Sequence, residues 1–217
     1  MKALNKIRAP HKGTSLNKKI IFSLLNALLG FALGVYSGFL ERLPSDLPEI
    51  FYIFYMLFGR IVFWAFITMV IYVFSKTPFR AAINAFCIFA GMLIGYFIYS
   101  FFIAGFLPES SELIMYGALI VISPVVAVLC WYAKGRGTVS TIISAFIISY
   151  FISQTFSFAG DFSYFEITKQ VSEIILLPAS IVVLYRRPKQ TIISVIAAAF
   201  ISYFIVLLPF SIPFINS

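Results

Sequence analysis

The sequence predicts an all-α fold: a polytopic membrane helical bundle of about seven transmembrane helices, built as one helix followed by three helical hairpins with signs of repetition. Three observations predict it. Of 217 residues, 61% are hydrophobic and 11% charged, with a mean hydropathy of +1.00, a balance far too apolar for a water-soluble domain. Apolar runs of about 20 residues, the length that a hydrocarbon core of roughly 30 Å requires, recur along the chain. Short charged segments separate these runs, and the segments alternate in sign.

The spans fall at 17–40, 50–75, 79–105, 112–133, 138–158, 168–185 and 189–211, forming a single transmembrane domain over 17–211 between a basic tail at 1–16 and a short tail at 212–217. The tail and its junction carry Lys2, Lys6, Arg8, Lys12, Lys18 and Lys19. The apolar run that follows is too long for a signal peptide and has no small-x-small cleavage site before Glu41, so it is expected to remain as the first span.

That first span places Gly30, Gly34 and Gly38 on one face, where small residues allow another backbone to approach closely. The face serves packing within the bundle, or a second copy or partner membrane subunit. Asn26 on the same span is a polar group suited to an interhelical hydrogen bond.

In the second span the unusual residue is Arg60, near the middle and, if the helix runs straight, about 15 Å from either edge of the hydrocarbon core. A guanidinium there costs roughly 2.5–3.5 kcal/mol on insertion scales, so it needs the bundle interior, a wet cavity or a carboxylate. Glu173 in the sixth span and Glu112 at the end of the fourth are the candidate partners. Arg60, Glu173, Asn84 and Asn26 form the candidate substrate-binding set, with a structural ion pair as the alternative role for Arg60.

The third span carries Asn84 and a second close-packing pair, Gly91 and Gly95. Pro124 in the fourth and Pro178 in the sixth interrupt their helices at related places in successive hairpins. They mark either simple kinks or, as in carriers with broken helices, a central binding site. Repetition is visible in Gly95-Tyr96-Phe97-Ile98, Ser149-Tyr150-Phe151-Ile152 and Ser202-Tyr203-Phe204-Ile205, at offsets of 54 and 53 residues. Thr141-Ile142-Ile143-Ser144 and Thr191-Ile192-Ile193-Ser194 add a second match. The narrow alphabet of membrane sequences also produces such matches by chance.

Charge sets the orientation. Thirteen lysines and arginines occupy the N-terminal tail and every second connection, against Arg42 and Lys169 on the opposite side. The positive-inside rule then places the N-terminus in the cytoplasm and the C-terminus outside. The formal charge of +8 therefore reports topology and offers nucleic acid no single basic face. Membrane lipids are the expected surroundings. Cys87 and Cys130, both in cytoplasmic halves, are expected as free thiols.

Inventory argues against an enzyme. The only histidine, His11, is in the tail, so no Ser/His or Cys/His pair can form within the spans. Asp46 and Asp161 both fall in loops, which removes an intramembrane aspartyl dyad. No metal-ligand or phosphate-loop spacing occurs, so no catalytic residue, metal site or cofactor is expected.

The segment Phe74-Ser75-Lys76-Thr77-Pro78-Phe79-Arg80-Ala81-Ala82-Ile83-Asn84 and the run from Ser123-Pro124 to Cys130-Trp131-Tyr132-Ala133-Lys134-Gly135-Arg136-Gly137 resemble an uncharacterised family of small bacterial multispanning membrane proteins. The resemblance covers most of the membrane region, implies a bacterial plasma membrane, and supplies no activity. The sequence thus points first to a transport-type protein for a small solute or amphiphile. An accessory, substrate-capture or immunity-type subunit is the alternative.

Overall fold

The chain is described by a computed structural model at residues 7–11, 15–40, 61–107, 109–156 and 171–207. These residues form seven α-helices and no strand: α1 (Leu16–Leu40), α2 (Ile61–Phe74), α3 (Pro78–Ile98), α4 (Ser110–Ala133), α5 (Thr138–Thr155), α6 (Val171–Leu184) and α7 (Pro188–Leu207). Four stretches are long and apolar enough to cross a membrane: Leu16–Leu40, Pro78–Ile103, Leu113–Ala133 and Thr138–Thr155. The described parts of α2, α6 and α7 are shorter apolar helices.

Local chemistry places the helix starts. Thr77 caps α3, its hydroxyl accepting from the Arg80 amide at 3.1 Å, and Pro78 occupies the first turn, where a missing N–H costs nothing. Pro188 opens α7 in the same way. Before α5 the chain turns through Gly137 at φ +90°, a conformation that side chains with a Cβ rarely adopt. At its far end α3 widens into a π-helical turn, Tyr99–Ile103, and stops at Gly105 with φ +72°.

The outer surface is apolar. Leu28, Val121 and Val182 are 63%, 74% and 72% exposed, and similar side chains coat the flanks of every helix except the central α2. Such a surface belongs in lipid. Lipid tails are as apolar as the helices, so the hydrophobic effect cannot drive the helices together, and close packing must do so.

The closest packing joins α1 to α3. A Cβ at Gly30 would overlap the Ile88 carbonyl oxygen, and one at Gly34 would overlap that of Met92. The relation is reciprocal, because a Cβ at Gly91 or Gly95 would strike the Ala27 or Phe31 carbonyl oxygen. Gly38 continues the seam against the Tyr99 ring, 2.6 Å from where its Cβ would stand. The glycine face of α1 is therefore engaged within the chain, and the opposite face of α1 is the exposed one.

On the other flank α7 packs on α5, where Ala145, Ser149, Ala198 and Ser202 are all buried. The two Thr-Ile-Ile-Ser segments meet there, and the Ser194 hydroxyl donates to the Thr141 carbonyl at 3.2 Å. Hairpin connectivity does not govern this end of the bundle: α6 makes little contact with α7 and packs instead on α2 and α5. Small-residue faces pull α7 onto α5 more effectively than the short turn holds it on α6.

Between the flanks, α2 serves both buried clusters. Val62, Met69 and Val73 pack with Phe151, Leu176 and Ala198, while Tyr72 joins Ala85, Ala127 and Trp131.

The reciprocal α1–α3 seam generates a prediction. Gly34→Ala and Gly91→Ala each force backbones apart and should lower unfolding stability by about 1–3 kcal/mol. Gly117→Ala, where nothing lies within 4 Å of the added carbon, should be neutral or stabilising. Thermal unfolding in detergent compares the three.

Candidate functional site

Two places gather polar groups in this otherwise apolar bundle: a cavity among α2, α3, α4 and α5, and a hydrogen-bonded network at the end of the bundle that carries the basic turns.

The cavity has a volume of about 490 Å³, within the range of small-molecule sites. Its inner wall is α2, which contributes Ala65, Thr68, Met69 and Tyr72 at helical spacing. Phe89, Phe151 and Tyr150 add aromatic surface. Its outer rim is formed by Ile122, Val126, Leu129 and Phe146, side chains that are themselves exposed on the flank of the bundle. The cavity therefore opens sideways, toward the lipid, with no charged residue in its lining.

The polar atoms that reach it are few, and most are already engaged. Thr68 donates its hydroxyl to the Trp64 and Ala65 carbonyls at 2.9 and 3.1 Å. Pro124, having no N–H, leaves the Ile120 carbonyl without its usual helical donor, and the Ser123 hydroxyl supplies one at 3.1 Å. The Tyr72 hydroxyl is the exception: the residue is 3% exposed, lines the cavity, and its oxygen reaches no backbone carbonyl, having as its polar neighbour the Thr68 hydroxyl, whose own proton is already committed. A buried hydroxyl in that state is costly and suits a bound polar group.

At the basic end Trp131, fully buried, donates its indole N–H to the Ser75 carbonyl at 2.6 Å. The Asn84 amide donates to the Ser75 hydroxyl at 3.2 Å, and that hydroxyl donates to Ile71. Arg8 from the N-terminal tail closes the set, donating to the Trp131 carbonyl at 2.6 Å and stacking 4.3 Å above its ring. Nearby, the hydroxyls of Ser140 and Ser144 both donate to the Ala133 carbonyl, and the Gln190 amide donates to Ser140 at 3.2 Å. These bonds satisfy carbonyls at helix ends that lipid cannot serve.

Of the residues singled out by the sequence, Asn26, Asn84 and Glu173 do not come together. Asn26 donates to the Phe22 carbonyl of its own helix at 2.7 Å, so its amide closes a turn instead of bridging helices. Asn84 belongs to the basic-end network and Pro178 lies on α6; neither lines the cavity. Pro124 adjoins it through Ser123. Glu173, in the first turn of α6, is fully buried, with the Ser172 hydroxyl donating to its carboxylate at 2.8 Å and the Thr155 hydroxyl to its carbonyl at 3.2 Å. Arg60 and the side chain of Glu112 lie outside the described residues. Cys87 and Cys130 are free thiols. Among the described residues no group of three His, Cys, Asp or Glu side chains gathers.

Sequence reasoning missed the cavity and the docked tail, because both arise from contacts between segments distant along the chain. The one available signal was Trp131, a large donor-bearing ring in a helix end that must find an acceptor when buried. Removing that donor tests the network: Trp131→Phe should cost about 1–3 kcal/mol of stability, leaving the Ser75 carbonyl unserved. Chemical unfolding in detergent measures it.

No protein-family model matches this chain, and neither does any curated protein or solved structure. The functional argument therefore proceeds from geometry.

Proposed function

We propose that this chain is a transport-type integral membrane protein whose cargo is amphiphilic, entering sideways from the lipid into the cavity between α2 and α4. The observation that carries this reading is the combination of an apolar, laterally open cavity with one buried hydroxyl, that of Tyr72, left without a carbonyl acceptor. A small ion or sugar would need several polar partners, which the lining does not offer; an apolar tail with a single polar group would match it. In this reading all seven helices span a bacterial plasma membrane, and the basic end faces the cytoplasm, as the positive-inside rule requires. The accessory-subunit alternative loses the surface that first suggested it, since α3 covers the glycine face of α1.

Photolabelling with a diazirine-bearing fatty acid tests the cargo site. Val126→Trp at the rim should block it and lower labelling of cavity residues, whereas Val121→Trp on the open lipid face should not. Tyr72→Phe should weaken labelling by about fivefold, the worth of one hydrogen bond. Equal labelling of all four proteins would end the proposal, and saturable uptake by vesicles containing the protein separates transport from binding.

We also assign Arg60 as the counter-ion of Glu173. Supporting this, Glu173 is a fully buried carboxylate on α6, α2 packs on α6, and in the sequence Arg60 immediately precedes α2. Breaking such a pair by one neutral substitution costs about 3–5 kcal/mol. Glu173→Gln and Arg60→Gln should each destabilise by that order, and the double variant by much less than their sum. Additive losses in detergent unfolding would contradict the pairing.

A further inference from the structure

Among the cations of the basic end, three from separate segments, Arg8, Lys134 and Arg186, lie close enough to act on one another. The N-terminal segment is pinned across it: the Arg136 amide donates to the Ile7 carbonyl at 2.8 Å and the His11 amide to the Lys76 carbonyl at 2.9 Å. Gly135 makes this docking possible, because a Cβ there would stand 2.6 Å from the Ile7 side chain. The docking fixes Arg8 over the Trp131 ring. Lys134, at the end of α4, places its ammonium 4.1 Å above the Phe74 ring. Arg186, between α6 and α7, donates to the Lys134 carbonyl at 3.1 Å.

All of these contacts use carbonyl oxygens or aromatic faces, and none uses a carboxylate. Residues 1–40, 61–108, 113–160 and 174–217 contain no aspartate or glutamate at all, so no acid from the tail or from these turns is available as a neutraliser. Burial, and then the charge of Arg186, pull the Arg8 guanidinium down to about 10. Burial, Arg8 and Arg186 likewise lower the Lys134 ammonium. Three mutually repelling cations are thus held together by the fold, and a guanidinium carries five N–H donors, more than the single bonds described for Arg8 and Arg186 consume.

We propose that Arg8, Lys134 and Arg186 together bind the phosphate-bearing headgroup of an anionic lipid, at a site separate from the cavity. Lipid is favoured over a soluble anion because the cluster sits where apolar side chains reach the surface. Phe74, under Lys134, is 59% exposed, and Tyr185, beside Arg186, is 50% exposed. The exposed flank of α4, with Val125 and Val121, which do not line the cavity, leads away from Lys134 in the direction that acyl chains would run. The headgroup completes the hydrogen bonding of the guanidinium groups and offsets their repulsion.

The full-length protein in zwitterionic detergent, titrated with phosphatidylglycerol, phosphatidylcholine or inorganic phosphate and read by melting temperature, tests the proposal. Phosphatidylglycerol should stabilise and the other two should not. Lys134→Gln and Arg186→Gln should each weaken the apparent affinity roughly fivefold. Lys134→Arg should retain it, as should Arg187→Gln, which removes an equal charge from an exposed neighbour outside the cluster. If phosphatidylcholine stabilises equally, or if Arg187→Gln weakens binding as much as Arg186→Gln does, the site does not exist. If inorganic phosphate reproduces the whole shift, the lipid assignment fails. The wild-type comparison of the three ligands decides the matter even if a variant does not fold.

Discussion

The structure depends on having no water against its flanks. With apolar side chains exposed along the helix flanks, neither hydrophobic burial nor solvent hydrogen bonding is available where the helices cross the hydrocarbon. Cohesion must then come from shape. The α1–α3 seam answers this with glycines on both sides, each opposite the partner's carbonyl oxygens, and α5 and α7 answer it with alanine and serine. Where the packed helices do not meet closely, among α2, α3, α4 and α5, a laterally open cavity remains.

The same constraint explains where the polar chemistry went. Within the spans, several serine and threonine hydroxyls are returned to their own helices, as in Ser123 to Ile120, Ser149 to Phe146 and Ser180 to Leu177. Bonds between segments concentrate at the basic end, where helix-terminal carbonyls need donors and Trp131, Ser140, Ser144, Gln190 and Arg8 provide them. The result is a hydrogen-bonded, positively charged end joined to an apolar body. A buried carboxylate at Glu173 is the one acidic group the described interior encloses.

Much of this was legible in the sequence, because hydrophobic runs and turn residues are local signals. The start of α1, the turns at Ser75–Thr77, Lys134–Gly137 and Tyr185–Arg187, and the close-packing role open to Gly30, Gly34, Gly91 and Gly95 all follow from short-range patterns. Pairing was less legible. Three turns of similar length suggest three equivalent hairpins, yet α7 leaves α6 for α5, since the turn constrains proximity while the small-residue face determines the partner. Asn26 shows a related limit: an asparagine in a span signals a hydrogen bond without saying whether its own backbone or a neighbour accepts it. The docked tail was invisible because Ile7 and Arg8 acquire their roles only against Gly135 and Trp131, more than 120 residues away.

The most direct test of the account concerns its surroundings. Spin labels at positions 28, 121 and 182, on the exposed apolar flanks, and at positions 136 and 187, in the basic turns, can be compared in reconstituted bilayers by their collisions with oxygen and with a water-soluble nickel chelate. Lipid contact predicts high oxygen and low chelate accessibility at the first three positions and the reverse at the last two. Chelate accessibility at position 121 equal to that at position 136 would contradict it.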